Sequence, residues 1–284
     1  MYQFPIGVVV ESFRKEIHEA IREAAALGLD GIQMYATRGD FAPESFTAER
    51  RRELLSFAKS NGVRFSAICG DFGHGFMSAE SNKIYVERSK RVVDLALEME
   101  TNIITTHIGV VPEDKNHERY KIMQEACASL AEYADRMNAH FAVETGPETS
   151  ATLGDFLDSL GSCGVGVNLD PANLVMVTGD DPVKAVHRLK KYIVHTHAKD
   201  GVLLRRVDPE YIYRVIPMPE DMERIDAFKE TPLGEGGVDF AAYLKALEEI
   251  GYRGFLTIER EAGENPAKDI ALAADYLRKI IEAN

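Results

Sequence analysis

Residues 165–197 read VGVNLDPANLVMVTGDDPVKAVHRLKKYIVHTH, and this stretch contains two apolar runs separated by a helical segment. The runs at residues 166–169 and 193–196 are short and rich in β-branched residues, as buried parallel strands are. Between them, Asp181 followed by proline predicts an N-cap with proline in the first turn of a short helix. The stretch is therefore predicted to be a strand–helix–strand unit.

The same alternation of apolar segments with stretches of helical period runs along the whole chain. Eight strands are predicted, near residues 6–10, 31–35, 64–68, 102–106, 140–143, 166–169, 193–196 and 255–258. Eight βα units in 284 residues predict an α/β fold, a (β/α)8 TIM barrel, with residues 1–284 forming a single domain. An open Rossmann sheet is disfavoured because no G-x-G-x-x-G follows the first strand.

One interval between predicted strands is much longer than the rest. The stretch between His197 and Phe255 exceeds a plain βα loop, which usually runs to about six residues. Residues 201–231 are therefore predicted to be an insertion after the seventh strand, on the C-terminal face of the barrel where active sites form. Its tyrosines and arginines are typical of a lid or of a subunit contact in a homo-oligomer, but a surface loop without either role is also compatible. The sequence does not decide among these three roles.

Four successive predicted strands end on side chains that bind metal ions. FAVE ends at Glu144, VGVNLD at Asp170, YIVHTH at His197 and FLTIE at Glu259. Because parallel strands bring their C-terminal ends to one mouth of the barrel, we expect these side chains to line one side of it. Three carboxylates and one imidazole suit a divalent ion, with Mn²⁺ preferred and Mg²⁺, Co²⁺ or Zn²⁺ as other options. The alternative is that they are helix caps and solvated loop ends.

Other polar residues are expected near the same mouth. The predicted substrate contacts are His107, His195, Lys199, Asn173 and Glu261, and the further residues of the pocket wall are Glu11 and Tyr35. Each of the two histidines is alternatively a core residue, and Lys199 and Glu261 alternatively pair with neighbouring loops. Cys69, at the end of the third strand, is more simply explained as a small buried hydrophobe.

Charge and composition exclude some classes of partner. Asp and Glu outnumber Lys and Arg by 46 to 33, which disfavours binding to polyanionic nucleic acid. The N-terminus has no basic region before an apolar run, and no run of about eighteen apolar residues occurs, so neither export nor a membrane is expected. The three cysteines are widely spaced and form no C-x-x-C pair, which fits a reducing cytoplasm.

Five motifs carry a resemblance to a known family. They are VETG around Glu144, NLDPAN around Asp170, HTHAKD around His197, PLGEGGVDF at residues 232–240 and GYRGFLTIERE through Glu259. Together they resemble the xylose-isomerase-like TIM barrel superfamily of sugar isomerases and epimerases, which also contains inosose dehydratases and apurinic endonucleases. The resemblance covers essentially the whole chain. It implies that Glu144, Asp170, His197 and Glu259 coordinate one divalent metal, and that the two glutamates are also the acid/base pair.

The activity that the resemblance implies is a divalent-metal-dependent sugar or cyclitol isomerase or epimerase. Such an enzyme transfers a proton next to a carbonyl through a metal-stabilised enediolate. The alternatives are a keto-inositol dehydratase, a metal-dependent lyase acting on an oxidised glycoside, and a non-catalytic metal-binding barrel. Apurinic endonucleases of the superfamily use extra histidines around three metals, where this chain has Cys69 and Asn173. One ion and a small-molecule sugar or cyclitol are therefore expected, and an endonuclease is less favoured.

Overall fold

Eight short parallel strands close into a barrel in the computed structural model, which describes residues 2–219 and 226–284. The barrel strands are β1 (Ile6–Val9), β2 (Gly31–Tyr35), β3 (Arg64–Cys69), β4 (Ile103–Thr106), β5 (His140–Glu144), β6 (Val165–Leu169), β7 (Ile193–Ala198) and β10 (Leu256–Ile258). Two further strands, β8 (Asp200–Leu203) and β9 (Phe228–Thr231), form a separate hairpin between β7 and β10. The order of the barrel strands is β1–β10–β7–β6–β5–β4–β3–β2. The predicted TIM barrel is confirmed.

Helices connect the strands and cover the outside of the barrel. They are α1 (Ile17–Ala26), α2 (Ala48–Ser60), α3 (Ala79–Glu98), α4 (Glu118–Arg136), α5 (Ser150–Asp158), α6 (Pro171–Asn173), α7 (Pro182–Leu189), α8 (Pro209–Ile212), α9 (Phe240–Glu249) and α10 (Pro266–Ala283). The short α6 continues as a π-helical turn over Leu174–Thr178. None of the described helices combines the length and apolarity needed to cross a membrane.

Most of these helices begin where a short polar side chain accepts a backbone hydrogen bond. The predicted N-cap Asp181 accepts from the amide of Val183 at 2.9 Å, with Pro182 in the first turn of α7. Thr149 caps α5 in the same way, through the amide of Thr152. Such contacts satisfy amide groups that have no partner inside the helix. They fix the point at which the chain leaves each strand, and so the geometry of the barrel mouth.

The long interval after β7 folds back on itself as an antiparallel hairpin, in which Asp200 pairs with Thr231 and Leu203 with Phe228. Residues 220–225 of the predicted insertion lie outside the described residues. The Asp200 carboxylate accepts from the amides of Gly234 and Gly236, each at 3.0 Å. A Cβ atom at Gly236 would lie 2.1 Å from Asp200 Oδ1, so only glycine fits there. The GEGG segment is therefore held by this carboxylate.

Candidate metal centre and active site

The four strand-end residues lie together at the C-terminal mouth of the barrel. One ligand atom from each of Glu144, Asp170, His197 and Glu259 lies within 4.8 Å of the others, and all four side chains are buried. His197 Nδ1 is 3.5 Å from both Glu144 Oε1 and Asp170 Oδ2, and 3.2 Å from Glu259 Oε2. The four residues come from β5, β6, β7 and β10, which are neighbours in the barrel.

The unsatisfied atoms of this cluster fit a bound cation. Asp170 Oδ2 and His197 Nδ1 are buried and have no hydrogen-bond partner among the described residues. Burial disfavours a charged imidazole, but the negative charges of Glu144 and Glu259 outweigh it and raise the pKa of His197. The centre of the cluster thus attracts positive charge. Three carboxylates and one imidazole are a suitable donor set for one divalent ion.

A polar layer beneath the four ligands orients two of them. The Asn168 side-chain amide donates to Glu144 Oε2 at 3.1 Å. Gln33 Oε1 lies 3.3 Å from His197 Nε2, and Gln33 Nε2 donates to Thr105 Oγ1. Because a carbonyl oxygen only accepts, Gln33 favours a proton on Nε2 and leaves Nδ1 free to bind a metal. Sequence analysis missed Asn168 and Gln33, although each is a polar residue inside an otherwise apolar strand.

His195 belongs to this lower layer. Its side chain has no exposed surface, and its Nδ1 and Nε2 atoms lie 2.9 Å from Asn168 Oδ1 and 3.0 Å from Thr257 Oγ1. Burial, with the positive charge of His197 beside it, lowers the pKa of His195, so the ring is neutral. Of the two predicted roles, the structure favours the core histidine, because both ring nitrogens are already engaged by neighbouring side chains. Direct substrate contact by His195 is not supported.

A cavity of about 220 Å³, here called the metal cavity, opens above the ligands. Its wall contains Tyr35, His107, Glu144, Asn173, Met176, Val177, Lys199, Ile212, Tyr213, Phe228, Glu230, Glu259 and Glu261. Four of the five residues predicted to contact substrate therefore lie in this wall, and His195 is the exception. The insertion contributes Ile212, Tyr213, Phe228 and Glu230, so its described part covers one side of the metal cavity.

Carboxylates surround Lys199 on one side of the metal cavity. Its Nζ atom donates to Glu259 Oε2 at 3.1 Å and to Glu261, and lies 4.0 Å from Glu230 Oε2. Burial opposes the ammonium charge, but Glu259 and Asp170 outweigh it and raise the pKa of Lys199. Burial likewise opposes ionisation of Glu259, yet the charges of Lys199 and His197 lower its pKa. Glu259 is therefore held as a carboxylate.

Histidine and amide groups surround Glu144 on the other side. His107 Nε2 lies 3.7 Å from Glu144 Oε1, and His107 Nδ1 lies 3.1 Å from Asp71 Oδ2. Burial opposes the charge on His107, but Glu144 and Asp71 outweigh it and raise the pKa of His107 to about 10. The Asn173 amide donates to Glu144 Oε1 at 3.1 Å. Glu144 thus faces a protonated imidazole, whereas Glu259 faces an ammonium group.

Three further residues considered in the sequence lie near the mouth: Glu11 just after β1, Tyr35 on β2 and Cys69 on β3. Glu11 Oε1 accepts from the Tyr35 amide at 2.9 Å, and both residues line a recess of about 240 Å³ beside Glu259. Glu11 Oε2 has no partner among the described residues. Cys69 is buried, and burial raises the pKa of its thiol well above the usual range. This state agrees with the interpretation of Cys69 as a small hydrophobe.

Comparison with known proteins gives relatives along nearly the whole chain. Residues 21–280 match the family model described as Xylose isomerase-like TIM barrel. L-ribulose-5-phosphate 3-epimerase UlaE of Salmonella paratyphi A is 24% identical over 274 residues, which cover 92% of this chain and 88% of that protein. A xylose isomerase domain protein from Planctomyces limnophilus aligns with a TM-score of 0.79 at 26% identity, covering 99% of this chain and 98% of that one. The probable 3-DHS dehydratase AsbF from Bacillus anthracis shares the fold, with a TM-score of 0.75 at 18% identity over 97% of this chain and 99% of that one.

Proposed function

Because the chain belongs to the xylose isomerase-like TIM barrel family, we propose that it is a metal-dependent sugar or cyclitol isomerase or epimerase. The observation that carries this proposal is the ligand cluster of Glu144, Asp170, His197 and Glu259 beneath a cavity lined by hydrogen-bonding side chains. The sequence relation to an L-ribulose-5-phosphate 3-epimerase supports the same reaction class. Mn²⁺ is the proposed ion, because the donor set is rich in oxygen and contains one imidazole.

The proposed reaction is proton transfer at a carbon next to a carbonyl. A divalent ion held by the four residues would polarise the carbonyl group and make the neighbouring C–H acidic. Glu144 and Glu259 stand at the two ends of the row of ligands, on β5 and directly after β10. A sugar carbon between them would present one face to each carboxylate. One glutamate can then remove a proton while the other returns a proton to the opposite face.

The charged neighbours of Glu144 and Glu259 suggest which glutamate acts as the base and which as the acid. Lys199 keeps Glu259 ionised, so Glu259 is ready to accept a proton from the substrate. His107 is held protonated between Asp71 and Glu144. Burial opposes ionisation of Glu144, yet the charges of His107 and His197 lower its pKa, so Glu144 must first take a proton from His107 before it can act as an acid. We therefore assign Glu259 as the base and Glu144 as the acid for one direction of the reaction, with the roles exchanged for the reverse direction.

Solvent-deuterium incorporation into a panel of ketoses and keto-inositols, followed by proton NMR on Mn²⁺-loaded protein, tests this proposal. Glu144→Gln and Glu259→Gln are each expected to slow the exchange by about 10²- to 10⁴-fold, because each removes one proton carrier. Glu264→Gln, at an exposed position in the loop after β10, should leave it unchanged. The metal content of each variant is measured in parallel, because both glutamates are also ligands. Wild-type protein that exchanges none of the ketones would overturn the proposal.

A dehydratase is the second candidate, and the position of His107 favours it. After a proton has been removed next to the carbonyl, a hydroxyl group one carbon further on can leave as water if it receives a proton. The C–O bond then breaks and a C=C bond forms. The protonated imidazole of His107 in the cavity wall can supply that proton. Mass spectrometry of the product separates the two candidates, because only dehydration removes one water from the substrate.

A further inference from the structure

A second and larger cavity lies beside the metal cavity. It has a volume of about 560 Å³, and we call it the lateral cavity. The loop after β4, the beginning of α5 and residues 206–210 of the insertion form its walls. The metal cavity, at about 220 Å³, is less than half as large. Most of the space at this face of the barrel is therefore outside the chamber that contains the ligands.

Only a few side chains separate the two cavities. Val177 lines both of them. On the insertion, α8 lies between them: Glu210 faces the lateral cavity, and Ile212 and Tyr213 face the metal cavity. The Tyr213 hydroxyl packs against the backbone at Gly146, where a Cβ atom would lie 2.5 Å from it. The two cavities are therefore adjacent, and Val177, α8 and Tyr213 form the partition between them.

The lateral cavity contains a buried acid with an unused oxygen. Glu148 is 6% exposed, and its Oε2 atom accepts only a long 3.5 Å contact from the Val111 amide. Its Oε1 atom is buried and has no partner among the described residues. Thr149 and Thr152, at the start of α5, line the same wall, and their hydroxyl groups, 3.1 Å apart, share one hydrogen bond and keep one further proton to donate. A carboxyl group and two hydroxyls together suit a ligand that both donates and accepts hydrogen bonds, as a polyol does.

The charges in the wall argue against a phosphate group. Arg119 is committed to an ion pair with Glu210, and the first amide of α5, that of Ser150, donates to Asp180 Oδ2 at 2.8 Å. Besides that ion pair the wall contains two acidic residues, Glu113 and Asp208, and one arginine, Arg206, while burial raises the pKa of Glu148 to about 8 and keeps it largely uncharged at neutral pH. A phosphate would meet this excess of negative charge without a free helix terminus to bind it. The ligand that fits is uncharged and rich in hydroxyl groups.

We propose that the lateral cavity is a binding site for the second, uncharged ring of a two-part substrate, in which a sugar is linked to the ketose or keto-cyclitol that reacts at the metal centre. This assignment rests on the proposed function for the position of the reacting ring. It makes a glycoside of a ketose a better substrate than the free ketose. It also implies that Glu148, Thr149 and Thr152 select the second ring of the substrate and take no part in the reaction, since none of them lines the metal cavity.

The test compares fructose with its glucosylated derivatives turanose, maltulose, leucrose and isomaltulose, which carry the second ring on different hydroxyls and keep the carbonyl. Binding to Mn²⁺-loaded protein is measured by calorimetry. We expect at least one disaccharide to bind about tenfold or more tightly than fructose. Thr152→Phe fills the lateral cavity and should remove this preference. Ser81→Phe is the matched control, because Ser81 is the third residue of α3 as Thr152 is of α5. The amide of each residue donates to the N-cap side chain of its helix, and both residues are half-buried.

Glu148 supplies a second variant in case Thr152→Phe does not fold. Glu148→Gln keeps hydrogen-bonding capacity and should keep the preference, whereas Glu148→Leu should lose it. The proposal is overturned if no disaccharide binds more tightly than fructose, or if the preference survives both Thr152→Phe and Glu148→Leu. Deuterium exchange into the same sugars is scored separately. Tight disaccharide binding without exchange would contradict the proposed reaction and still support the second subsite.

Discussion

Asn168 connects the layer of metal ligands to the layer of side chains beneath it. Its amide nitrogen donates to Glu144 and its amide oxygen lies 2.9 Å from His195 Nδ1. The same amide nitrogen lies 3.1 Å from His197 Nε2, but both atoms carry protons when Nε2 donates to Gln33, so this contact is not a hydrogen bond. One uncharged side chain thus orients a carboxylate of the cluster and fixes the ring of His195 beneath it. Contacts of this kind contribute to the affinity of a metal site in addition to the ligands themselves.

Replacing this side chain should weaken metal binding without removing a ligand. Asn168→Ala is expected to lower the affinity for Mn²⁺ by about 10- to 100-fold, because Glu144 loses the amide donor that orients it. Calorimetric titration of metal-free protein with Mn²⁺ measures it. Asn82→Ala is the control, since Asn82 is also buried and also donates an amide hydrogen bond, but lies on α3. Equal Mn²⁺ affinities for Asn168→Ala and wild type would contradict this role.

The grouping of the four candidate ligands could be predicted from the sequence, but the side chains that support them could not. Glu144, Asp170, His197 and Glu259 are recognisable because parallel strands deliver their last residues to one place. The contact of Gln33 with His197 joins residues 164 positions apart, and its geometry depends on closure of the barrel. His195 has the same residue type and strand face as His197, yet it lies one layer lower, has no exposed surface and lines none of the described cavities.

At the scale of elements, the carboxylate of Glu230 links the hairpin of β8 and β9 to the loop after β10. Glu230 Oε1, on β9, accepts from Arg260 Nη1 at 2.5 Å and from the amides of Glu261 and Ala262 at 3.1 and 3.2 Å. Both side chains of the ion pair are 8% exposed. The hairpin therefore positions the loop that follows β10, and this loop carries Glu259 and Glu261.

Removing the Glu230 carboxylate should destabilise the protein strongly. Glu230→Ala is expected to reduce the free energy of unfolding by about 3–5 kcal/mol, because it leaves a buried guanidinium without this partner and two amides without an acceptor. Urea denaturation at neutral pH measures the loss. Glu235→Ala, at an exposed position in the loop after β9, should change stability by less than about 0.5 kcal/mol. A similar effect of both substitutions would show that the attachment is weak.

The elements of the barrel could be predicted more completely than those of the insertion. Short β-branched runs followed by capped helices identify each βα unit locally, and all eight predicted strands overlap the observed ones. The hairpin is different, because β8 and β9 are separated by a long segment that includes α8, and β9 has only exposed or half-buried residues. Its pairing depends on anchors such as Asp200 and Glu230, which no local pattern indicates.

At the scale of the whole molecule, one buried acid is expected to make stability depend on pH. Burial raises the pKa of Glu148 from 4.5 to about 8. Between these two values, the folded protein retains a proton that the unfolded chain releases. The contribution of Glu148 to the free energy of unfolding is therefore largest below pH 4.5 and is lost progressively as the pH rises towards about 8.

Glu148→Gln should remove this dependence, because an amide does not titrate. The free energy of unfolding of the variant, minus that of wild type, is expected to increase by up to about 1.4 kcal/mol per pH unit between pH 5 and 8, and then to level off. Urea denaturation across this range measures it. Glu113→Gln, an exposed residue of the same cavity wall, should give a constant difference. Parallel curves for Glu148→Gln and wild type would refute the burial argument.

The position of the four ligands on adjacent strands divides the barrel between two tasks. The four residues of the candidate metal centre lie on or directly after β5, β6, β7 and β10, whereas Glu11, Tyr35 and His107, on or shortly after β1, β2 and β4, line the cavities beside it. Apart from Gln33 and His107, which contact His197 and Glu144, residues of the N-terminal half can therefore be substituted without a direct effect on the four residues proposed to hold the ion. During evolution such a chain would acquire new substrates by exchanging one half-barrel, and directed evolution can begin from the same boundary.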